Sequence, residues 1–218
     1  AAQALRKGRF GDAVPLQTEA LEQLRNGTDG LAERMAAEAS ENGVYFCDVP
    51  VSGGQQGAQN GQLSLMAGCD SNAYERLVDL TAPYTKAIAH MGDPGCGQKT
   101  KMVNQICIAG VVQGLAEGLN LALKAGLDGA QVVDVISKGA AQSWQMENRG
   151  KTMVDGKFDF GFACDWMRKD LDICLDEARA NGAQIPLTAL IETFYARIQG
   201  EGDGRLDNTA LYRLLNDV

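Results

Sequence analysis

Three short polar segments interrupt an otherwise apolar sequence, and their residue types suit acid–base chemistry on a small carboxylate. The first begins at Ser52 and continues with two glycines, the second carries Lys101 and Asn104 after a Gly-x-Gly turn, and the third begins at Lys169. A lysine in the first turn of a helix lies beside its positive end, which disfavours the ammonium form. Lys101 is therefore predicted to exchange protons near neutral pH, and the three segments together predict one active site.

The groups around Lys101 are spaced to hold a ligand. Asn104 follows one helical turn later and so lies on the same face, which aims an amine and an amide at one place. The turn after Ser52 has no bulky side chain, so a carboxylate can approach backbone N–H groups while the hydroxyl adds a donor. Each feature alone also fits a flexible loop, a solvated lysine or, for Lys169, a surface salt bridge. The prediction depends on their combination.

Composition narrows the classes of function. The chain has 218 residues, of which 45% are hydrophobic and 22% charged, as in ordinary globular proteins. Its 28 acidic and 20 basic residues give a net charge of -8, which disfavours binding to nucleic acid or an anionic membrane. We expect no membrane-spanning segment and see no apolar N-terminal signal, so the cytoplasm is the default location.

Cysteine and histidine do not form a metal-binding pattern. The six cysteines include no Cys-x-x-Cys pair, and the one histidine, His90, lies in a predicted strand. These spacings do not match a zinc site, so we expect reduced thiols in a core and no metal.

Hydrophobic patterns predict two domains, residues 1–98 and 99–218, because strand and helix signals alternate in the first and only helix signals occur in the second. The predicted strands are Val44–Val49, Gln62–Ala67 and Lys86–Met91. The predicted helices are Ala32–Gly43, Ser71–Ala82, Lys101–Ala125, Asp128–Lys138, Ser143–Lys151, Ala163–Ala180, Pro186–Gln199 and a last helix capped by Asp207.

The long helix predicted after Lys101 has glycine at every fourth position, at Gly110, Gly114 and Gly118. Such spacing lets another helix backbone approach closely. Because Glu117 interrupts the apolar run, we interpret the pattern as a packing device in a dimer of helical domains and not as a membrane helix.

The three polar segments resemble those of the β-hydroxyacid dehydrogenase family, which includes 3-hydroxyisobutyrate dehydrogenase, tartronate semialdehyde reductase and, more distantly, 6-phosphogluconate dehydrogenase. The resemblance extends from Gly43 to Leu215. It implies an α/β Rossmann-type N-terminal domain, apparently incomplete here, followed by an all-α C-terminal domain. It also implies an NAD(P)-dependent oxidoreductase that interconverts a small 3-hydroxy acid and its semialdehyde, and a homo-oligomer, either a dimer or a tetramer.

The resemblance implies which residues bind the substrate. The family's Asp-x-Pro-Val-Ser-Gly-Gly segment binds the substrate, and Ser52, Gly53 and Gly54 occupy the matching positions. Asn104 matches a substrate-binding amide. Many relatives have two asparagines where this chain has Asn104 and Gln105, so Gln105 is a second candidate substrate ligand.

The resemblance also implies which residues carry out the reaction. Lys101 matches the catalytic lysine, which acts as general acid and base. Lys169 matches a lysine beside the nicotinamide, and Phe162 lies in the aromatic approach to it, so both are candidate ligands of NAD or NADP.

The N-terminal residues depart from the family pattern. They contain no Gly-x-Gly-x-x-Gly motif and no residue that selects between NAD and NADP. Only 43 residues precede Val44, fewer than a mononucleotide-binding half requires, although segments 1–7 and 17–31 resemble helices of such a half. We therefore expect the true polypeptide to be longer than 218 residues. The alternatives are a non-catalytic helical oligomerisation module that has lost nucleotide binding, and an imine-reductase-like enzyme, against which the lysine at position 101 argues.

Overall fold

The computed structural model describes residues 31–215, which separate into two compact units. Unit 1 contains residues 31–51 and 64–98, and unit 2 contains residues 52–63 and 99–215. The Ser-Gly-Gly turn therefore groups with the helical residues of unit 2. The helical segments predicted within residues 1–30 lie outside the described residues.

The elements follow one another as helices α1–α8 and strands β1–β4. They are α1 (Leu31–Glu41), β1 (Cys47–Asp48), β2 (Val51–Ser52), α2 (Gly54–Gln59), β3 (Leu63–Cys69), α3 (Ser71–Thr81), β4 (Thr85–Gly92), α4 (Cys96–Lys124), α5 (Gly129–Ile136), α6 (Trp144–Val154), α7 (Cys164–Asn181) and α8 (Pro186–Gly200). Short 3-10 segments occupy Ala82–Tyr84 and Asn208–Leu215.

A small sheet forms the centre of unit 1. Its strand order is β1–β3–β2, and β4 also pairs with β3. Strands β1 and β3 are antiparallel, with Cys47 opposite Cys69 and Asp48 opposite Gly68. Every second side chain of β3 from Leu63 onwards is buried, as the two-residue period of a strand requires.

The first predicted strand is wrong in its length. The structure has only Cys47–Asp48 in β1, and Val51–Ser52 forms a separate strand. Pro50 lies between them and has no N–H to donate to the sheet, although its carbonyl accepts from the N–H of Met66 at 3.1 Å.

Local capping signals position the helices of unit 2. The Asp128 carboxylate accepts the N–H groups of Ala130 and Gln131, and the Ser143 hydroxyl accepts that of Met146. Gly182, in the left-handed region, ends α7. These predicted helices are confirmed with ends that differ by a few residues, except that the segment after Asp207 is a 3-10 helix.

The core of unit 2 consists mainly of apolar side chains from α4, α5, α6, α7, α8 and the C-terminal 3-10 segment. The largest of them that are fully buried are Leu119, Met153, Met167, Leu171, Tyr195, Ile191, Ile198 and Leu211. Both α4 and α7, the helices that carry Lys101 and Lys169, contribute side chains to this core.

Helix α4 begins at Cys96, five residues earlier than predicted, so Lys101 lies in its second turn and not in its first. The reason is a cap that is distant in sequence. The buried Asp48 carboxylate accepts the N–H of Gly95 at 2.6 Å and that of Gln98 at 2.7 Å. A carboxylate at this position satisfies free N–H groups and lies at the positive end of the helix.

By length and composition, α4 could also cross a membrane, although the sequence predicts no membrane-spanning segment. Within residues 31–215 it is the one helix of this kind, and 39% of its most apolar stretch is buried inside the protein. Its buried residues, including Ala109, Val112 and Leu119, belong to the core of unit 2. A core helix passes the same test of length and composition.

Candidate active site

Lys101, in the second turn of α4, has a lowered pKa. Its side chain is half-buried, and burial is the first cause of a pKa below the ordinary 10.5. The positive charge of Lys169 also lowers this pKa, whereas the negative charge of Asp170 raises it. The lowered pKa agrees with the prediction from sequence, but its leading cause is desolvation and not the end of the helix.

A chain of polar contacts connects the face of α4 to α7. The Nδ2 of Asn104 donates to the Oε1 of Gln105 at 2.8 Å, and the Nε2 of Gln105 donates to the Oδ2 of Asp170 at 2.7 Å. The Gln105 residue is only 1% exposed, whereas Asn104 is partly exposed. Gln105 therefore lies behind Asn104, with both of its polar atoms engaged.

Lys169 and Asp170 form the end of this chain. The Nζ of Lys169 lies 2.7 Å from the Oδ1 of Asp170, while 64% of the lysine side chain is exposed. The carboxylate is mostly covered, so its two oxygens receive one contact from Gln105 and one from Lys169. The structure thus brings Asn104, Gln105 and Lys169 together through Asp170, whose charge also reaches Lys101.

The Ser-Gly-Gly turn has a backbone that favours glycine. The φ angle is 131° at Gly53 and 59° at Gly54, both in the region that L side chains rarely adopt. Ser52 is partly buried, and α2 begins directly after the turn, at Gly54. Helix α2 lies next to the loop before α7: a Cβ placed on Gly161 of that loop would lie 3.1 Å from the Oε1 of Gln55 in α2.

Phe162 has a different environment from Lys169, the other candidate cofactor ligand. Its side chain is partly buried and packs against the core of unit 2. Its carbonyl accepts the N–H of Asn208 at 2.8 Å. Phe162 therefore anchors the loop before α7 to the C-terminal 3-10 segment.

The role of Asp170 at the centre of these contacts was not predicted from the sequence, although a signal was present. Gln105 is an amide among the buried residues of α4, most of which are apolar, and a buried amide requires partners. Asp170 supplies one from the helix that carries Lys169.

No group of three His, Cys, Asp or Glu side chains that could hold a metal occurs among residues 31–215. A cavity of about 730 Å³ lies elsewhere on unit 2 and is lined by Gly156, Lys157, Phe158, Asp159, Phe160, Leu206 and Arg213. None of these residues belongs to the site around Lys101, so this cavity does not define the chemistry.

Two segments of the chain match family models, and together they define a class of protein with a nucleotide-binding α/β region followed by a helical domain. Residues 26–92 match the NAD-binding domain of 6-phosphogluconate dehydrogenase, and residues 95–215 match the NAD-binding domain of NADP-dependent 3-hydroxyisobutyrate dehydrogenase. The chain belongs to the β-hydroxyacid dehydrogenase family. The predicted family and fold class are thereby confirmed.

Individual relatives match over most of this chain. An uncharacterized oxidoreductase of Shewanella frigidimarina is 55% identical over 181 residues, which are 83% of this chain and 62% of the relative. The 2-hydroxy-3-oxopropionate reductase of Escherichia coli is 35% identical over 183 residues, 84% of this chain and 63% of the relative. A structure of 3-hydroxyisobutyrate dehydrogenase from Mycobacterium tuberculosis with L-serine superposes with a TM-score of 0.76 at 30% identity, covering 84% of this chain and 65% of that chain. The first curated relatives are thus covered over 54–64% of their length.

Proposed function

We propose that this chain carries the substrate-binding and proton-transferring part of an NAD(P)-dependent oxidoreductase that interconverts a small 3-hydroxy acid and its semialdehyde. The observation that carries the proposal is the half-buried Lys101, whose pKa is lowered, with Asn104 one turn further along the same helix. Relatives named as dehydrogenases or reductases of small hydroxy and oxo acids support it.

Lys101 is the general acid and base of this reaction. A lysine with the ordinary pKa of 10.5 would rarely release its proton at neutral pH, whereas burial makes the neutral amine more accessible. The ammonium donates a proton to the carbonyl oxygen as it becomes a hydroxyl, and the amine accepts that proton in the reverse direction. The charge of Asp170 opposes the effect of burial and so keeps the protonated form available.

The substrate is a small carboxylate held at two places. The hydroxyl of Ser52 and the backbone N–H groups of Gly53 and Gly54 bind its carboxylate, because a turn without bulky side chains lets an anion approach the backbone. The side-chain amide of Asn104 binds the oxygen that reacts. These roles hold the reacting oxygen beside the Nζ of Lys101.

The residues of unit 2 fit the reactive end of a nicotinamide cofactor, NAD or NADP. Lys169 offers an exposed ammonium whose charge is coupled to Lys101, and Phe162 fixes the loop before α7. The glycine motif that binds the pyrophosphate does not occur in this sequence. When bound, the nicotinamide supplies or accepts the hydride.

The experiment is a turnover assay with NADH and NADPH on small 3-oxo acids, comparing the native chain with Lys101→Ala and Lys101→Arg. Loss of the proton donor is expected to lower kcat by about 10²–10⁴-fold in Lys101→Ala. Lys101→Arg keeps the positive charge but not the titratable amine, so it separates proton transfer from charge. Absence of binding to either cofactor would instead favour the non-catalytic helical module.

The same proposal includes a homo-oligomer, a dimer or a tetramer, formed through an exposed face of α4 and α8. Exposed apolar side chains and glycines follow one stripe of α4, namely Val103, Cys107, Val111, Gly114, Gly118 and Leu121. A Cβ at Gly114 or Gly118 would meet nothing within 4 Å, so packing inside the chain does not require these glycines. Glycine costs a helix about 1 kcal/mol relative to alanine, and an approaching helix backbone explains its use.

The stripe on α4 continues onto α8. Leu187 and Leu190 are exposed, and a Cβ at Gly110 would lie 3.6 Å from the Cδ2 of Leu187. A continuous apolar face of this kind is typical of a protein–protein interface. A second copy of the chain presents the same face and can bury it.

A further inference from the structure

Gln105 is a candidate substrate ligand on α4, but it is buried and cannot contact a substrate directly. Its side chain is enclosed, with Nε2 2.7 Å from the Oδ2 of Asp170 and 3.8 Å from the Sδ of Met167. Its Oε1 accepts from Asn104 at 2.8 Å. A fully used and buried amide beside a proposed substrate ligand suggests that it acts through that ligand.

The carboxylate of Asp170 fixes the direction of these hydrogen bonds. An ionised carboxylate only accepts hydrogen bonds, so Gln105 must present its amino group to Asp170. The Oε1 of Gln105 is then turned towards Asn104, which can respond only by donating from Nδ2. Asn104 keeps its Oδ1 and one N–H for another partner.

Two further features hold this orientation in place. The second oxygen of Asp170 is engaged by the ammonium of Lys169 at 2.7 Å, and this contact anchors the carboxylate. Gln105 is excluded from water, so no solvent molecule can replace Asp170 or Asn104 as its partner. If the Asn104 amide rotated by half a turn, its Oδ1 would face the Oε1 of Gln105, and two acceptors would repel each other.

We propose that Gln105 is a positioning residue that links the Asn104 side chain to the Asp170 carboxylate. This link fixes the Asn104 amide so that the Oδ1 and one N–H of Asn104 are directed to the substrate. This inference rests on the proposed function, because the orientation of Asn104 matters to the reaction only if Asn104 binds the substrate. Gln105 does not touch the substrate itself. A side chain at this position must donate to Asp170 and accept from Asn104 at the same time.

Gln105→Glu tests this requirement through pH. A protonated glutamic acid can make both contacts, since its O–H donates to Asp170 and its carbonyl oxygen accepts from Asn104. The ionised form cannot, because two carboxylates then face each other. We expect kcat/KM of Gln105→Glu to be close to native at about pH 5.5 and to fall about 10–100-fold below native at about pH 8.5. Gln105→Leu should lose activity at both pH values.

Gln113→Glu is the matched control. Gln113 lies on the same helix two turns further on, is 5% exposed, and donates to the Oε1 of Glu117 at 2.7 Å. The substitution therefore introduces the same charge into a similar environment outside the site. Its kcat/KM is expected to follow the native pH profile, whereas a fall with pH as steep as that of Gln105→Glu would overturn the proposal.

Two measurements separate this proposal from the proposed function. If the native chain turns over substrate and Gln105→Glu keeps the native pH profile, the positioning role fails and the proposed function stands. If the native chain shows no turnover with NADH or NADPH, the proposed function fails, and side-chain amide NMR still tests the linkage. We expect Asp170→Asn to shift the Gln105 Nε2 resonances and those of Asn104, and unchanged resonances would refute it.

Discussion

Gly97 is the position in the Gly-x-Gly turn where unit 1 leaves no room for a side chain. A Cβ at this residue would lie 2.5 Å from the backbone oxygens of Asp48 and Met66 and 2.7 Å from the Oδ2 of Asp48. Ordinary van der Waals contact begins at 3.4 Å. Because two of these three atoms belong to the backbone of the sheet region, they cannot rotate away. We expect Gly97→Ala to push the start of α4 away from Asp48.

The magnitude follows from two losses and one gain. Overpacking of a close contact costs about 1–3 kcal/mol. The displacement also breaks at least one of the hydrogen bonds that Gly95 and Gln98 donate to Asp48, and a bond to a charged acceptor contributes about 1.5–3 kcal/mol. Alanine regains about 1 kcal/mol of helix propensity. The variant should therefore lose about 1.5–5 kcal/mol of unfolding free energy.

Urea unfolding followed by circular dichroism measures this loss, and hydrogen exchange at the amides of Gly95 and Gln98 locates it. Gly200→Ala is the matched control, because Gly200 is also helical and a Cβ there would meet nothing within 4 Å. This control should be as stable as the native chain or slightly more stable. If both variants unfold at the same urea concentration and the Gly95 and Gln98 amides exchange at native rates, the reasoning about Asp48 is refuted.

Three other side chains test the site and the proposed interface. Burial disfavours the ammonium of Lys101, so between its lowered pKa and 10.5 the unfolded chain binds more protons than the folded chain, and stability rises with pH. Lys101→Met removes this unfavourable burial and should melt at a higher temperature than the native chain at neutral pH. The difference in melting temperature should become smaller towards pH 10.5. Ser52→Ala should raise KM by the equivalent of about 1–3 kcal/mol with little effect on kcat, and a loss confined to cofactor binding would reassign the turn. Leu121→Asp, at a residue 71% exposed, should reduce the mass seen by light scattering, whereas Leu80→Asp, at a residue 73% exposed, should not; a monomeric native chain would contradict the interface.

The helices of unit 2 could be predicted because their signals are local. Asp128 and Ser143 cap helices through N–H groups two or three residues away, and Gly182 ends α7 through its own backbone conformation. Such contacts form within a few residues, so the sequence pattern is enough to recognise them. The two-residue alternation of β3 was visible for the same reason.

The start of α4 could not be predicted from local signals. Asp48 caps it from 47 and 50 residues away in sequence, through Gly95 and Gln98. Nothing near Cys96 in the sequence shows where that carboxylate will lie. The short strands on either side of Pro50 were not predicted either, because their pairing depends on the partner strand β3.

The sequence by itself determined which residue types are available for chemistry: a lysine and an amide one helical turn apart, a Ser-Gly-Gly segment, and a second lysine further on. It also determined the family, because those residues occur in family-like segments. The tertiary structure decided how they act. Burial by the fold, and not the helix end, is the first cause of the lowered pKa of Lys101. Gln105, a candidate substrate ligand by sequence, is buried in the fold and connects Asn104 to Asp170 on another helix. Desolvation and the direction of a hydrogen bond depend on neighbours that are distant in sequence, so only the folded chain could reveal them.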